Sequence, residues 1–216
     1  MDPLLFDSPL PADLAEDGAW WSIYERSFPQ EEREPRDVIL RSLEATVGLA
    51  FRARRASVTI AIATTHLLLH PPAAFLVYLA VDPQHRRSGV GAAMLEFAWS
   101  ESAERLRKRG HDPLGLIWEV DPPGMAEDPT EETQRHRRVA FFQRQGGLLL
   151  SRPYHQPPVN GTRAVPMRLM MRPAPGLAPP ARPVIEALVH AIYFEKYGAI
   201  NRLPDQTLQD LLSVPA

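Results

Sequence analysis

The chain has 216 residues, a length that favours one domain with room for an appendage. Its apolar fraction of 44% and charged fraction of 23% are ordinary for globular chains, and a net charge of −2 gives no general attraction to nucleic acid or anionic membranes. The absence of cysteine excludes disulfides, zinc–thiolate sites and cysteine nucleophiles. Neither a secretory signal nor an apolar run of membrane-spanning length is recognisable, so we expect a cytoplasmic protein.

The first half of the chain is predicted to form two helices followed by three strands. One helix is expected over residues 13–28, and Pro35 is suited to open a second because proline is favoured at the first helical position. β-Branched and small apolar residues then predict strands over 46–52, 57–64 and 75–81, with a loop or hairpin link at 66–72. The third strand is apolar throughout and should be covered on both faces.

The second half is predicted to contain two helices, three strands and a C-terminal extension. Helical spacing and breaker residues place the helices at 89–109 and 130–145, and the strands at 114–120, 148–151 and 165–171. A proline-rich spacer and two short amphipathic helices follow. Because those helices are too small to form a core of their own, we predict one domain over 1–172, a spacer over 173–183, and an extension over 184–216 packed on the domain.

The segment 81–92, with the sequence VDPQHRRSGVGA, lies between the apolar third strand and a long helix. Gly89 and Gly91 allow a ligand to approach the backbone, and N–H groups at a helix start attract anions. Arg86 and Arg87 add forked donors for phosphate. No Gly-Lys-Ser/Thr follows, and the glycine spacing of a dinucleotide fingerprint is absent. The pattern predicts a diphosphate-binding turn; the alternative is an ordinary strand-to-helix turn with a solvated basic patch.

Residues 79–95 resemble the acetyl-CoA-binding core of the GNAT acyltransferase superfamily, whose signature Arg/Gln-x-x-Gly-x-Gly/Ala is matched by Arg86, Gly89 and Gly91. The order of predicted elements is also similar. The resemblance implies an α/β fold with a central mixed, twisted sheet of about six to seven strands flanked by helices, and acetyl-CoA as cosubstrate. It assigns the pantetheine arm and pyrophosphate to Leu79, Ala80, Val81, Arg86, Arg87, Ser88, Gly89, Val90, Gly91 and Ala92.

An amine that attacks a thioester must lose a proton, and the leaving thiolate can gain one. Glu119, in the strand segment LIWEV, resembles the general base of bacterial members; the alternative is a solvated carboxylate at the sheet rim. The family often has a Tyr donor four residues before the glycine that closes the next helix, and here Phe142 precedes Gly146 at that spacing. Tyr154, and after it Tyr78, are the replacement candidates; the alternative is that the thiolate leaves without a side-chain acid.

Two further segments are assigned by the same resemblance. Arg135 opens a basic run on the helix that the family places beside the cofactor, and it is predicted to reach a CoA phosphate unless the run is a solvated face. Phe28, Glu31 and Glu32 belong to a Phe-Pro-x-x-Glu element found in some small-amine acetyltransferases, which predicts that they bind a cationic acceptor. The alternative is a charged helix start favoured by the helix dipole.

The sequence therefore predicts an acetyl-CoA-dependent N-acetyltransferase that acts directly on a primary amine of a small molecule or peptide. No nucleic-acid, membrane or metal partner is predicted, and the acceptor and a homodimeric state are left open. Two alternatives remain: a catalytically weak CoA-binding regulatory module, and a structural protein that uses its C-terminal helices as a partner surface. CoA affinity separates the structural protein from the other two, and thioester turnover separates the enzyme from the module.

Overall fold

The computed structural model describes residues 2–161 and 163–213, and these residues form seven strands and seven α-helices. The strands are β1 Leu4–Asp7, β2 Gly48–Arg55, β3 Val58–Leu69, β4 Pro72–Val81, β5 Gly115–Val120, β6 Leu148–Gln156 and β7 Val165–Pro173. The helices are α1 Pro11–Glu16, α2 Gly18–Ser27, α3 Arg36–Glu44, α4 Val90–Lys108, α5 Pro129–Arg144, α6 Arg182–Ala191 and α7 Asp205–Leu212, with a π-helix at Ile192–Gly198. The predicted α/β fold class is confirmed.

The chain divides into two compact units. The first contains the described residues up to 67, together with 76–112 and 159–161; the second contains 68–75, 113–158 and the described residues from 163 onward. The predicted division into a domain over 1–172, a spacer over 173–183 and an extension over 184–216 stays a prediction. Within the described ranges, no helix is both long enough and apolar enough to cross a membrane.

In the first unit the strand order is β1-β2-β3-β4, and β2 is antiparallel to both of its neighbours. The core beside these strands is rich in aromatic side chains, including the fully buried Trp20 and Trp21 of α2. The indole N–H of Trp20 donates to the carbonyl of Phe51 at 3.1 Å, and that of Trp21 donates to the carbonyl of Leu14 at 2.8 Å. Because both polar atoms are paired, the two large rings can be buried without loss of a hydrogen bond.

The helix expected over 13–28 is interrupted, so that prediction was wrong in part. The carboxylate of Asp17 accepts the backbone N–H of Trp20 at 2.9 Å and thereby caps α2, while α1 ends at the preceding residue. The second oxygen of Asp17 is 2.6 Å from Arg52 Nη1, and Arg52 Nε is 2.7 Å from Asp7 of β1. Arg52 of β2 thus bonds both the start of α2 and the short strand β1. The sequence analysis did not predict β1.

A loop or hairpin link was expected over 66–72; in the structure β3 continues through residue 69 and β4 begins at residue 72, so the link between these neighbouring strands is shorter than expected. Thr65 and His66 are polar but buried, which is unusual for the middle of an apolar sheet. Thr65 Oγ1 lies 2.7 Å from Ser102 Oγ, and His66 Nδ1 lies 3.4 Å from Ser42 Oγ. Since helix hydroxyls satisfy these groups, burial does not require the strand to end.

In the second unit the strand order is β5-β7-β6, and β7 is antiparallel to both neighbours. Trp118 of β5 packs against Phe142 of α5, with ring centroids 4.7 Å apart. Side chains alternate between the two faces of a strand, so Glu119 lies on the face opposite to α5. That face is the one on which the candidate acid–base residues are found.

Strand β6 extends to Gln156, beyond the predicted end at residue 151. It contains Pro153, and the register with β7 is irregular between Leu149 and Pro153. β6 is the last strand in the sheet order, and proline is tolerated on edge strands and at irregularities because it cannot donate to a ladder. Tyr154 consequently lies within β6, not after it as the sequence indicated.

Because it contains four buried tyrosines, the folded protein is expected to lose stability at alkaline pH. Burial removes each phenol from water, and this desolvation is the largest effect that raises its pKa above the ordinary value. The four tyrosines are Tyr24, Tyr78, Tyr154 and Tyr193. In the unfolded chain a phenol ionises near pH ~10, so above that pH the unfolded state sheds protons that the folded state keeps. Each of these tyrosines should lower the free energy of unfolding by about 1.4 kcal/mol per pH unit above pH ~10.

Urea unfolding followed between about pH 9 and 11.5 measures this slope. The Tyr24→Phe variant, which removes one of the phenols, should have a shallower slope than the wild-type protein. A free energy of unfolding that stays constant across this range would contradict the prediction.

Candidate active site

The turn between β4 and α4 is shaped by its own hydrogen bonds. Arg86 Nε donates to the carbonyl of Val81 at 3.1 Å, and Ser88 Oγ donates to the carbonyl of His85 at 2.5 Å. These contacts are local, although Asp82 of the same segment also donates its backbone N–H to the carbonyl of Ile60 and accepts from Arg26. The local contacts are the reason that sequence patterns alone locate the turn.

Gly89 immediately precedes α4 and has a left-handed backbone with φ of +80°. A Cβ at this position would meet no atom within 4 Å, so open space lies in front of the glycine. The 19-residue helix α4 starts at Val90, and the first N–H groups of a helix have no intrahelical partner. With the exposed Arg86 and Arg87 beside it, this space suits a diphosphate.

The other residues assigned to the cofactor share this strand–turn–helix segment, apart from Arg135. Their places are Leu79, Ala80 and Val81 at the end of β4, Ser88 in the turn, and Val90, Gly91 and Ala92 in the first turn of α4.

Arg135 of α5 is engaged by protein partners. Its Nη1 donates to the carbonyl of Pro122 at 3.0 Å, and its Nη2 lies 2.7 Å from the carboxylate of Glu131. The side chain is 17% exposed, and these contacts fasten the loop before α5. These contacts give Arg135 a structural role that needs no ligand. Its contact with a CoA phosphate therefore stays a prediction.

Glu119 of β5 accepts hydrogen bonds from two tyrosines. The hydroxyl of Tyr154, on β6, donates to Oε1 at 2.5 Å. The hydroxyl of Tyr197, on the π-helix, lies 3.0 Å from Oε1 and 3.2 Å from Oε2. Both tyrosines are buried, whereas Glu119 is partly buried. The structure thus brings the predicted base and the preferred candidate acid into direct contact.

The chemistry of this cluster follows from burial and charge. Desolvation raises the pKa of Tyr154 well above its ordinary value, and the negative charge of Glu119 raises it further. The phenol therefore keeps its proton at neutral pH and donates it in a hydrogen bond. An ionised carboxylate only accepts hydrogen bonds, and both phenols can donate to Glu119, so the arrangement suits a carboxylate that can receive a proton.

Two other positions considered for the proton donor have structural roles. Phe142 has no hydroxyl and packs on Trp118. Tyr78 is buried; its hydroxyl donates to the carbonyl of Glu32 at 2.9 Å and accepts the backbone N–H of Glu34 at 2.9 Å. The proton of Tyr78 is thus used to hold the segment that precedes α3.

That segment, residues 28–34, contains the predicted acceptor-binding side chains. Phe28 packs edge-on against Tyr78, with ring centroids 4.8 Å apart. Glu31 and Glu32 lie in a 3₁₀ turn, where Glu31 is exposed and Glu32 is partly buried. The structure therefore presents a carboxylate to solvent on a backbone that Tyr78 braces.

Tyr197 was not singled out from the sequence. It lies 78 positions after Glu119, in a segment predicted only as part of a helical extension. The available signal is that Tyr193 and Tyr197 are four residues apart in an apolar helix, where buried hydroxyls need hydrogen-bond partners. That signal does not identify the partner.

The fold and these features define an α/β protein with an open, arginine-flanked turn before α4 and, on β5, a partly buried carboxylate that accepts hydrogen bonds from two phenols. The chain belongs to the acetyltransferase (GNAT) family, whose model matches residues 18–126. The predicted family and its fold are confirmed.

Solved structures with the same fold come from several organisms. A putative GNAT acetyltransferase from Bacteroides thetaiotaomicron is 21% identical, with 90% of this chain and 99% of that chain covered and a TM-score of 0.68. NAA60 from Arabidopsis thaliana, in complex with acetyl-CoA, is 13% identical over 81% and 100% of the two chains, with a TM-score of 0.59. The ribosomal-protein-S18-alanine N-acetyltransferase from Escherichia coli is 24% identical over 82% and 99%, with a TM-score of 0.50. No curated protein matches the chain.

Proposed function

We propose that this protein is an N-acetyltransferase that transfers the acetyl group of acetyl-CoA directly to a primary amine. The observation that carries the proposal is the open, left-handed Gly89 at the start of α4, flanked by Arg86 and Arg87. Family membership supports it, as does the acetyl-CoA bound to a structural neighbour. The carboxylate–tyrosine contact of Glu119 and Tyr154 supports the proton chemistry that amine acetylation needs.

The residues of the turn fit the pyrophosphate of the cosubstrate. Backbone N–H groups over 88–92 would donate to its oxygens, and Arg87 would balance its charge. Bound acetyl-CoA supplies an acetyl thioester, whose carbonyl carbon is attacked by the amine and whose thiol is the leaving group. Because the turn binds the part common to CoA thioesters, it sets the cosubstrate class and leaves the acceptor to other segments.

Glu119 and Tyr154 together can manage the proton that the reaction releases. Glu119 accepts the proton that the amine loses. Tyr154, which stays protonated at neutral pH, is assigned as the proton donor to the leaving thiolate. It can then recover a proton from Glu119 across their 2.5 Å hydrogen bond. The balance is one proton removed from nitrogen and one delivered to sulfur.

The exposed carboxylate of Glu31 supports a cationic acceptor. The surrounding backbone is braced on a second side, because Asn160 Nδ2 donates to the carbonyl of Gln30 at 3.0 Å. A negative charge on a braced loop would attract an alkylammonium. We therefore expect amines that carry a positive charge to be better acceptors than neutral aryl amines.

A panel of small amines, polyamines, amino acids and peptides, offered with acetyl-CoA, tests the proposal by release of free thiol. At least one primary amine should give turnover above the hydrolytic background, with an N-acetyl product in the mass spectrum. Calorimetry of the same protein with acetyl-CoA supplies the control. Binding without turnover on any amine would favour the CoA-binding regulatory module, for which Phe142 at the family's Tyr position is the supporting observation.

A further inference from the structure

The C-terminal π-helix, residues Ile192–Gly198, carries a hydroxyl to the carboxylate assigned as the base. Tyr197 is fully buried, and its hydroxyl lies within hydrogen-bond distance of both oxygens of Glu119. Tyr154 bonds one of those oxygens from β6. Glu119 is therefore held by phenols from two separate elements, one of which comes from the end of the chain.

Within the second unit, hydrogen bonds hold the π-helix in place. Glu195 accepts the backbone N–H groups of Leu69 and His70, at 2.6 and 3.0 Å. Lys196 is 1% exposed, and its Nζ donates to the side-chain oxygen of Asn201 at 2.9 Å. A buried lysine and a carboxylate that binds two backbone amides are strong local restraints. They fix the segment from which Tyr197 extends.

The helix geometry is also uncommon. The N–H of Ala199 bonds the carbonyl of Phe194 at 2.9 Å, five residues earlier, which is the π pattern. Single π-turns of this kind are rare and occur frequently at functional sites. Here the wide turn accompanies the placement of Tyr193 against β6 and of Tyr197 against Glu119.

We propose that Tyr197 is a positioning residue for Glu119, and that the C-terminal π-helix contributes to the candidate active site through this one side chain. This inference rests on the proposed function. Two O–H donors restrict the carboxylate to one orientation and favour its ionised form. The titratable groups that act on Glu119 include Tyr154 from β6 and Tyr197 from the π-helix, which both bond it, and Tyr193, whose hydroxyl donates to the carbonyl of His155 but which lies near enough to feel its charge.

The test compares Tyr197→Phe with Tyr193→Phe. Both variants remove one buried hydroxyl from the same helix, but the hydroxyl of Tyr193 donates to the backbone carbonyl of His155 at 2.7 Å and not to Glu119. Tyr197→Phe should lower kcat roughly tenfold, the order expected for loss of a hydrogen bond to a charged group, with KM for acetyl-CoA unchanged. The acidic limb of its kcat/KM profile should move to higher pH. Tyr193→Phe should leave kcat and the profile as in the wild type.

A double-mutant cycle shows whether Tyr197 acts through Glu119. In a Glu119→Gln background, Tyr197→Phe should cause no further loss of kcat, since the carboxylate that it positions is gone. Independent, multiplying losses would overturn the inference, as would a Tyr197→Phe variant with native kcat and pH profile. In both cases acetyl transfer by the wild type would still stand.

A second readout does not depend on activity. The side-chain carboxyl carbon of Glu119 can be observed by NMR and is identified by its absence from the spectrum of Glu119→Gln. It should titrate at higher pH in Tyr197→Phe than in the wild type or in Tyr193→Phe. An unchanged titration would overturn the inference even if no amine substrate is found.

Discussion

Replacing Gly89 with leucine should reduce acetyl-CoA affinity on the order of a hundredfold while the protein stays folded. The side chain would project into the space before α4 in which no atom lies within 4 Å. It would therefore meet little protein and would instead obstruct approach of the pyrophosphate to the helix N–H groups. Loss of two or more charge-assisted hydrogen bonds accounts for an effect of this size. Isothermal calorimetry with acetyl-CoA measures it directly.

Gly110, at the other end of α4, provides the matched control. It has the same φ of +80°, and a Cβ there would also meet nothing within 4 Å. Gly110→Leu therefore carries the same cost of a left-handed non-glycine residue, about 1–3 kcal/mol of stability, without touching the turn. It should bind acetyl-CoA as the wild type does. Equal losses of affinity in the two variants would mean that backbone strain, not obstruction of the turn, is responsible.

Local patterns were sufficient for the turn and for most element types. Within segment 81–92, bonds between near neighbours such as Arg86 and Val81 help to define the turn, while Asp82 adds bonds to the distant Arg26 and Ile60. The apolar run of β4 and the helical spacing of α4 predict the strand and the helix on either side. The predicted strand ended at residue 81, as β4 does, and the helix differed by one residue at each end.

Long-range contacts explain what the sequence did not reveal. β3 passes through Thr65 and His66 because hydroxyls from helices satisfy them. Tyr154 follows the strand predicted over 148–151, but in the structure the residue lies inside β6, beyond Pro153 and the irregular register. Tyr197 reaches a carboxylate 78 positions earlier, a pairing that no local window contains. Polar partners that are distant in sequence were therefore the main source of error.

Glu119→Gln should lower the rate of acetyl transfer by roughly a hundredfold or more, the size expected when a general base is removed. Glutamine has nearly the same shape, and its side-chain carbonyl can still accept from Tyr154 or Tyr197. The substitution thus removes the proton acceptor with little change in packing. Acetyl-CoA affinity should be unchanged, because the residues of the turn are untouched. Single-turnover kinetics on a responsive amine gives the rate of the chemical step.

The pH dependence of that loss identifies the role of the carboxylate. An alkylamine with a pKa near ~10.4 is mostly protonated at neutral pH, so an enzyme in which Glu119 is the general base depends on that carboxylate to remove the proton. As the pH approaches that value, solvent supplies neutral amine, and the gap between Glu119→Gln and the wild type should narrow. A deficit in Glu119→Gln that is equal at every pH would assign Glu119 to substrate orientation.

Tyr154→Phe should slow the chemical step more than tenfold if its phenol protonates the leaving thiolate. This variant should not recover at high pH, since raising the pH does not supply an acid. A native rate in Tyr154→Phe would mean that the thiolate leaves without a side-chain acid.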